Sequence, residues 1–348
     1  MVKIGIIGVG RISAGHIGQL KWRSDVEITA ICDIDTEKLK TIGDQLGLPE
    51  SRRFIDYHDL IACEDVEAVE ICTPNHLHVP MAIDVVKAGK AVEVEKPLSN
   101  DYSNGVAELI SEVERTNQTT MMCFSYRFKP AVRYAKDIID SGKLGKLINV
   151  TVEYLQSGVF IPGRKLEWRF VKEYAGSGTL ADLGVHLIDM TRFLVGDFKS
   201  IYAISETVVH ERQKLDSNEF APVKVDDLTG MLARLDGGVI ANMLFTKCAI
   251  GEGNTIRFEI YGTDGVIKFN LNDPEEIYLC FADESRTSGK GETVKVPEQY
   301  HLGQEECFVR ALHGDITPHF PSVTEGAVCQ RILDAAVISA TEGRPVEL

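Results

Sequence analysis

Short apolar runs alternate with helix-patterned segments through the first third of this chain, and no other feature limits its fold so strongly. The pattern predicts strands at Val2 to Ile7, Val26 to Cys32, Ala68 to Cys72, Ala91 to Val94 and Thr120 to Phe124. Between them it predicts helices at Arg11 to Trp22, Thr36 to Leu46, Val79 to Ala88 and Ser103 to Thr116. Leu39, Ile42 and Leu46, for example, recur at the spacing of one helix face. Strands separated by helices pair in parallel through right-handed crossovers, which gives an α/β domain built on a doubly wound parallel sheet.

From about Tyr126 the pattern changes. One helix, Ala131 to Ser141, precedes long strands at Lys146 to Gln156 and Lys199 to Val209. Asp227 to Leu235 and Val239 to Lys247 flank Asp236-Gly237-Gly238, a hairpin signal. Asn254 to Tyr261 places Ile256, Phe258 and Ile260 on one side and Arg257 and Glu259 on the other, then turns through Thr263-Asp264-Gly265 into Val266 to Phe269. Helices at Gln304 to Leu312 and Thr324 to Thr341 close the chain. The expectation is two domains, residues 1–125 and 126–348, the second α+β with a large mixed or antiparallel open sheet and the C-terminal helices closing it; 348 residues suit that count. Val239 to Phe245 is apolar on both faces, which predicts a partner subunit over one of them and hence a homodimer or homotetramer.

Composition narrows the function. Asp+Glu number 52 and Lys+Arg 37, a net charge of −15, which argues against non-specific binding to nucleic acid or anionic membranes. No run approaches the roughly 18 apolar residues of a membrane span. The apolar N-terminus is punctuated by Gly5, Gly8 and Gly10 and reads as a strand and turn, not a signal peptide. Cys32, Cys63, Cys72, Cys123, Cys248, Cys280, Cys307 and Cys329 show no CxxC and no metal-ligand spacing. Several lie in apolar runs, so buried free thiols, a cytoplasmic location and no bound metal are expected.

Three clusters carry chemistry. Gly8-x-Gly10 lies between a strand and a helix, where a tight turn lets a pyrophosphate approach free N–H groups at the helix N-terminus; Ser13 takes the place of a third glycine. Asp33 ends the second strand, where a carboxylate accepts the adenosine ribose hydroxyls and repels a 2′-phosphate. Ile34 supplies no cation for such a phosphate, so NAD is favoured over NADP. Lys96 ends the fourth strand before Pro97, which keeps it out of the helical region, at the sheet edge where ligands of doubly wound folds bind. Downstream, Asp182, His186 and Asp189 would share one face of a helix beginning after Gly178, a pairing suited to general acid–base work or to an ordinary solvated ion pair. His76 and His78 read as loop or cofactor-edge residues.

These segments resemble the Gfo/Idh/MocA family (glucose–fructose oxidoreductase, inositol dehydrogenase and relatives) over nearly the whole chain. The likeness rests on GIIGVGRIS, Thr73-Pro74-Asn75-x-x-His78, Ala88-Gly89-Lys90, Glu95-Lys96-Pro97-Leu98 and Tyr126-Arg127-Phe128-x-Pro130. It continues through Trp168-Arg169 and Gly178-x-Leu180-x-Asp182-x-Gly184-x-His186-x-x-Asp189. Ser125 departs from the asparagine of many relatives. The resemblance implies an N-terminal Rossmann domain and hydride transfer between a sugar, polyol or cyclitol CH–OH carbon and NAD. It also implies a catalytic group of Lys96, Asp182 and His186, with Tyr126 beside the substrate. Cofactor contacts are expected from Gly8, Gly10, Arg11, Ile12, Asp33, Ile34, Thr73, Pro74, Asn75, His78, Glu95, Lys96 and Arg169. The loop 157–165 reads as a lid or specificity segment, in which Arg164 and Lys165 either face an anionic substituent or are solvated. A redox-neutral NAD-dependent glycosidase and a catalytically silent NAD- and sugar-binding sensor remain as alternatives.

Overall fold

The computed structural model describes residues 1–283, 289–316 and 320–348 and divides into two compact units. The first comprises Met1–Cys123 with Gly303–Val328, the second Phe124–Leu302 with Cys329–Leu348. The boundary expected after residue 125 therefore falls after Cys123. The C-terminal helices also do not both belong to the second unit. Gln304 and Glu305 are buried in the first, where the Gln304 side-chain amide donates to Glu93. An interior partner on a distant strand is invisible to a reading of local periodicity.

The first unit contains β1 (Val2–Ile7), β2 (Val26–Cys32), β3 (Arg53–Phe54), β4 (Ala68–Ile71), β5 (Ala91–Val94) and β6 (Thr120–Met122) in the order β3-β2-β1-β4-β5-β6. All are parallel. This order reverses direction beside β1, the switch point at which doubly wound sheets take their ligands. Parallel strands covered on both faces are usually continuous apolar runs, and β4 and β5 break that rule. Glu70 and Glu93 are fully buried, and they are register neighbours across the β4–β5 pair.

The helices of this unit are α1 (Ser13–Leu20), α2 (Thr36–Leu46), α3 (Tyr57–Ile61), α4 (Asn75–Lys87), α5 (Val106–Thr116) and, from the returning segment, Gln304–Leu312. Asp35 caps α2 by accepting the Glu37 and Lys38 N–H groups, and Gly47, at φ +67°, ends it. The α4 helix begins four residues before the expected start at Val79, despite Pro80. Proline leaves the carbonyl four residues earlier without its helical donor. That carbonyl belongs to His76, and the Asn104 side-chain amide donates to it at 3.0 Å.

The second unit is built on a nine-stranded sheet. Its strands are β7 (Leu147–Leu155), β8 (Phe198–Glu206), β11 (Leu228–Leu235), β12 (Ile240–Thr246), β13 (Thr255–Gly262), β14 (Gly265–Asn270), β15 (Glu276–Ala282), β16 (Gly289–Lys295) and β17 (Val346–Glu347). A separate two-stranded ribbon is formed by β9 (Glu211–Gln213) and β10 (Phe220–Pro222). Only β7 and β12 pair in parallel; the rest of the ladder is antiparallel, so the sheet is mixed, as expected. Strand alternation gives it two unlike faces. One row, Ala203–Met231–Met243–Val152–Phe258–Phe269, is wholly buried. The opposite face exposes Tyr202, Ile204, Leu232 and Ile240. Helices α6 (Pro130–Asp140), α7 (Lys172–Ala175) and α8 (Val185–Leu194) complete the unit, and the long helix Val323–Glu342 begins in the first unit and ends in the second. All eight cysteines are free thiols. Among the described residues no helix is long and apolar enough to cross a membrane.

Candidate active site

In the first unit the glycine loop is fixed by its surroundings. Gly8 has φ +89°, and a Cβ there would lie 2.8 Å from the Cys72 carbonyl oxygen, so the turn requires glycine. Gly10 differs, since a Cβ built on it meets nothing within 4 Å among the described residues. Packing does not demand glycine there, whereas a pyrophosphate drawn close to the backbone would. Ser13 is buried and its hydroxyl donates to the Gly10 carbonyl at 2.8 Å, holding the loop that a third glycine would only have left room for. Arg11 and Ile12 are exposed beside it.

Asp33 ties the loop to the end of β2. Its two oxygens accept the N–H groups of Val9 and Asp35, each at 2.9 Å. Every carboxylate oxygen can accept more than one hydrogen bond, so capacity remains for a ribose diol. The adjacent Ile34 is 87% exposed and offers no charge. The loop, the free glycine position and the acid at the strand end together fit an adenine dinucleotide.

The ends of β4 and β5 carry the next group. Thr73 and Pro74 follow β4, and buried Asn75 opens α4. His78 is buried with Nδ1 2.7 Å from the Pro97 carbonyl and Nε2 2.8 Å from that of Thr73. It therefore joins the two strand ends instead of presenting its ring to a ligand; burial lowers its pKa against the pull of those carbonyls. Glu95 accepts the Lys96 N–H at 3.0 Å through one oxygen and lies 3.2 Å from His16 Nε2 through the other. Burial would raise the Glu95 carboxyl, yet His16 and Lys96 bring it below its ordinary value. Lys96 is thus anchored through its own backbone at the sheet edge.

In the second unit the predicted helix has an irregular start. Leu180–Gly184 forms a π-helical turn, which passes into α8. Such turns recur at functional sites. Here the extra residue in the turn breaks the single face expected for Asp182, His186 and Asp189. Asp189 points into the interior, where the Arg127 guanidinium donates to both its oxygens. Asp182 instead meets Lys247 at 2.9 Å, and that lysine is itself buried.

Asp226 holds the start of this segment. Its carboxylate accepts the Gly178 N–H at 2.7 Å, the Leu180 N–H at 2.9 Å and the Thr229 hydroxyl at 2.9 Å. A Cβ on Gly178 would collide with the Asp226 carbonyl oxygen, which explains the glycine. Burial raises the Asp226 carboxyl, and the two backbone donors pull it back.

Two tyrosine rings lie beside His186, and their hydroxyls belong to a polar network. The Tyr126 ring meets the imidazole edge-on at 4.6 Å between centroids, and the Tyr154 ring lies 6.3 Å away. Tyr126 and Tyr154 hydroxyls are 2.8 Å apart, and Asn254 and Gln156 complete the network. Such a set of donors and acceptors suits a polyhydroxylated ligand.

Arg164 and Lys165 both have partners in the protein: Arg164 donates to the Gly158 carbonyl at 2.9 Å and covers the Phe170 ring, whose centroid is also 4.2 Å from Arg212; Lys165 donates to the Leu215 carbonyl. The segment is pinned, not a free basic lid. Arg169 lies over the Trp168 ring at 4.3 Å.

Sequence spacing did not reveal His16, Tyr154, Asp226, Lys247 or Asn254. Lys247 ends a strand as Lys96 does, and Asp226 precedes one; neither signal distinguishes them from ordinary strand-end residues.

A glycine loop at the first strand of a 3-2-1-4-5-6 sheet, with an acid ending the second, defines a dinucleotide-binding domain. The comparisons agree. Residues 2–124 match the family described as "Oxidoreductase family, NAD-binding Rossmann fold", and residues 132–268 match the "GFO/IDH/MocA C-terminal domain". The chain belongs to the Gfo/Idh/MocA family of NAD-dependent oxidoreductases. It is 36% identical over 258 residues to levoglucosan dehydrogenase of Pseudarthrobacter phenanthrenivorans, a match spanning 69% of this chain and 66% of that protein. It is 26% identical over 345 residues to an inositol 2-dehydrogenase/D-chiro-inositol 3-dehydrogenase of Lactiplantibacillus plantarum, covering 98% of this chain and 92% of that one. A solved levoglucosan dehydrogenase in complex with NADH and L-sorbose superposes with a TM-score of 0.89 at 29% identity, covering 100% and 98% of the two chains.

Proposed function

We propose that the chain oxidises a CH–OH group of a sugar, anhydrosugar or cyclic polyol with NAD, using Lys96, Asp182 and His186 as its catalytic group. The observation that carries this reading is His186 packed against the ring of Tyr126, whose hydroxyl is bonded to that of Tyr154, on a segment whose Asp182 is held by Lys247. The relatives that act on levoglucosan and inositols support the substrate class.

Oxidation of CH–OH to C=O takes a hydride from carbon and a proton from oxygen. Bound NAD supplies the hydride acceptor. His186 takes the hydroxyl proton, a role typically worth about 10²–10⁴-fold in rate. Lys96 donates a hydrogen bond to the reacting oxygen and stabilises charge developing there. Asp182, fixed by Lys247, orients neighbouring hydroxyls. Gly8, Gly10 and Asp33 hold the dinucleotide, and the acid with Ile34 beside it favours NAD over NADP.

The apolar face presented by Tyr202, Ile204, Leu232 and Ile240 supports a homodimer or homotetramer. Eight free thiols suit a reducing cytoplasm. The test is NADH formation with NAD or NADP across levoglucosan, cyclitols, aldoses and sugar acids. A Lys96-dependent signal with NAD on members of this panel is expected. Glycoside cleavage without net NADH would replace the reading with redox-neutral chemistry. NAD binding with no turnover of any kind would point to a sensor.

A further inference from the structure

Four side chains converge inside the first unit without taking part in the proposed reaction. His16 on α1, Glu70 on β4, Glu93 on β5 and Glu305 on the returning helix Gln304–Leu312 each present one donor atom, and these atoms lie within 4.8 Å of one another. All four residues are buried. Neither carboxylate oxygen of Glu70 has a hydrogen-bond partner, and Glu93 and Glu305 each keep one oxygen without one. The other Glu93 oxygen already accepts from Gln304 at 2.9 Å.

His16 is oriented for ligation. Its Nε2 faces Glu95 at 3.2 Å, which leaves Nδ1 directed at the other carboxylates. Nδ1 lies 3.2 Å from a Glu70 oxygen and 3.3 Å from a Glu305 oxygen. Carboxylates gathered on both sides of one imidazole call for positive charge among them, which either a proton on the ring or a metal ion supplies. Ligands about 2.1 Å from a tetrahedral zinc lie about 3.4 Å apart, close to these two spacings. A carboxylate behind the second nitrogen of a ligating histidine is the usual outer support of such a metal.

We propose that His16, Glu70, Glu93 and Glu305 bind one divalent transition-metal ion of the zinc class in a closed, structural site. One nitrogen and three oxygens suit zinc or its neighbours better than an all-oxygen cation such as calcium. The ion joins the helix after the glycine loop to the segment returning from the far end of the chain. Through Glu95 it also braces the backbone N–H of Lys96. Protons are the competing occupant: burial first, with Glu70 next, pushes the Glu93 carboxyl up, and burial with Glu93 and Glu70 does the same to Glu305. A second grouping, His16, Glu95 and Cys123, would use a thiolate instead.

The experiment is a cobalt(II) titration of the full chain stripped by chelator, followed by zinc displacement. One equivalent is expected to bind with tetrahedral d–d bands and no thiolate charge-transfer band. Zinc should displace it and raise the melting midpoint. Glu70→Gln and Glu93→Gln should each weaken binding by at least about tenfold while circular dichroism in chelator stays as in the parent. Glu93→Leu, which removes a ligand outright, should show no zinc response in its melting midpoint. Absence of saturable one-to-one binding by the parent would overturn the proposal and leave protons in the cluster. A thiolate band, or variants that bind as tightly as the parent, would equally overturn it by placing the ion elsewhere.

Discussion

The lysine end of the first sheet and the histidine segment of the second unit are held in different ways. Lys96 is fixed by residues of its own motifs: Glu95 accepts its N–H, and His78 of the Thr73-to-His78 motif reaches the Pro97 carbonyl. His186 and Asp182 depend on residues far along the chain, with Asp226 holding the start of the segment and Lys247 facing Asp182. The polar interior differs as well. The first sheet places Glu70 and Glu93 side by side in its core, while the buried row of the second is apolar from Ala203 to Phe269. A short motif can carry its own support, but an irregular helical turn needs partners from other strands.

Perturbing each support should separate the two regions. The largest effect on stability is expected from Asp226→Ala, which leaves the buried N–H groups of Gly178 and Leu180 without their acceptor. At ~1–3 kcal/mol for each orphaned donor, a loss of ~2–6 kcal/mol should appear in urea unfolding. A loss below 0.5 kcal/mol, roughly the scatter of neutral surface changes, would mean that the segment holds itself. Lys247→Met should keep NADH affinity and lower kcat/KM by about tenfold to a hundredfold, as expected for a displaced orienting group. Partial recovery with Lys247→Arg would mark it as a positioning residue, whereas unchanged kinetics would remove it from the account. In the first unit, Asp33→Ala should weaken NAD binding by about tenfold, the equivalent of ~1.4 kcal/mol, with little change for NADP. Equal loss for both cofactors in titration calorimetry would refute discrimination by this acid.

The same difference explains what could be read from the sequence. The α/β and α+β division, the strand series and the glycine loop are written in local periodicity and in turn residues that sterics demand, such as Gly8. The face shared by Asp182, His186 and Asp189 was misjudged, because a π-helical turn has no signature in the spacing and Asp189 proved to be the partner of buried Arg127. Arg164 and Lys165 read as residues that either face an anionic substituent or are solvated, and their partners, carbonyls and the Phe170 ring, lie beyond what local spacing shows. Glu70 and Glu93 carry no signal in the spacing of their own short strands. Only the register shows them adjacent and buried with His16 and Glu305. Contacts that join distant parts of a chain leave no pattern in any one of them.

Lys96 and His186 are proposed to act chemically in one oxidation, beyond shaping their own units. The most direct measurement is single-turnover NADH formation on the best substrate of the panel, comparing the parent with Lys96→Ala and His186→Ala at saturating NAD. The account predicts that each variant binds NADH as the parent does and forms it at least about a hundredfold more slowly. Near-parental rates in either variant, with cofactor binding intact, would contradict it.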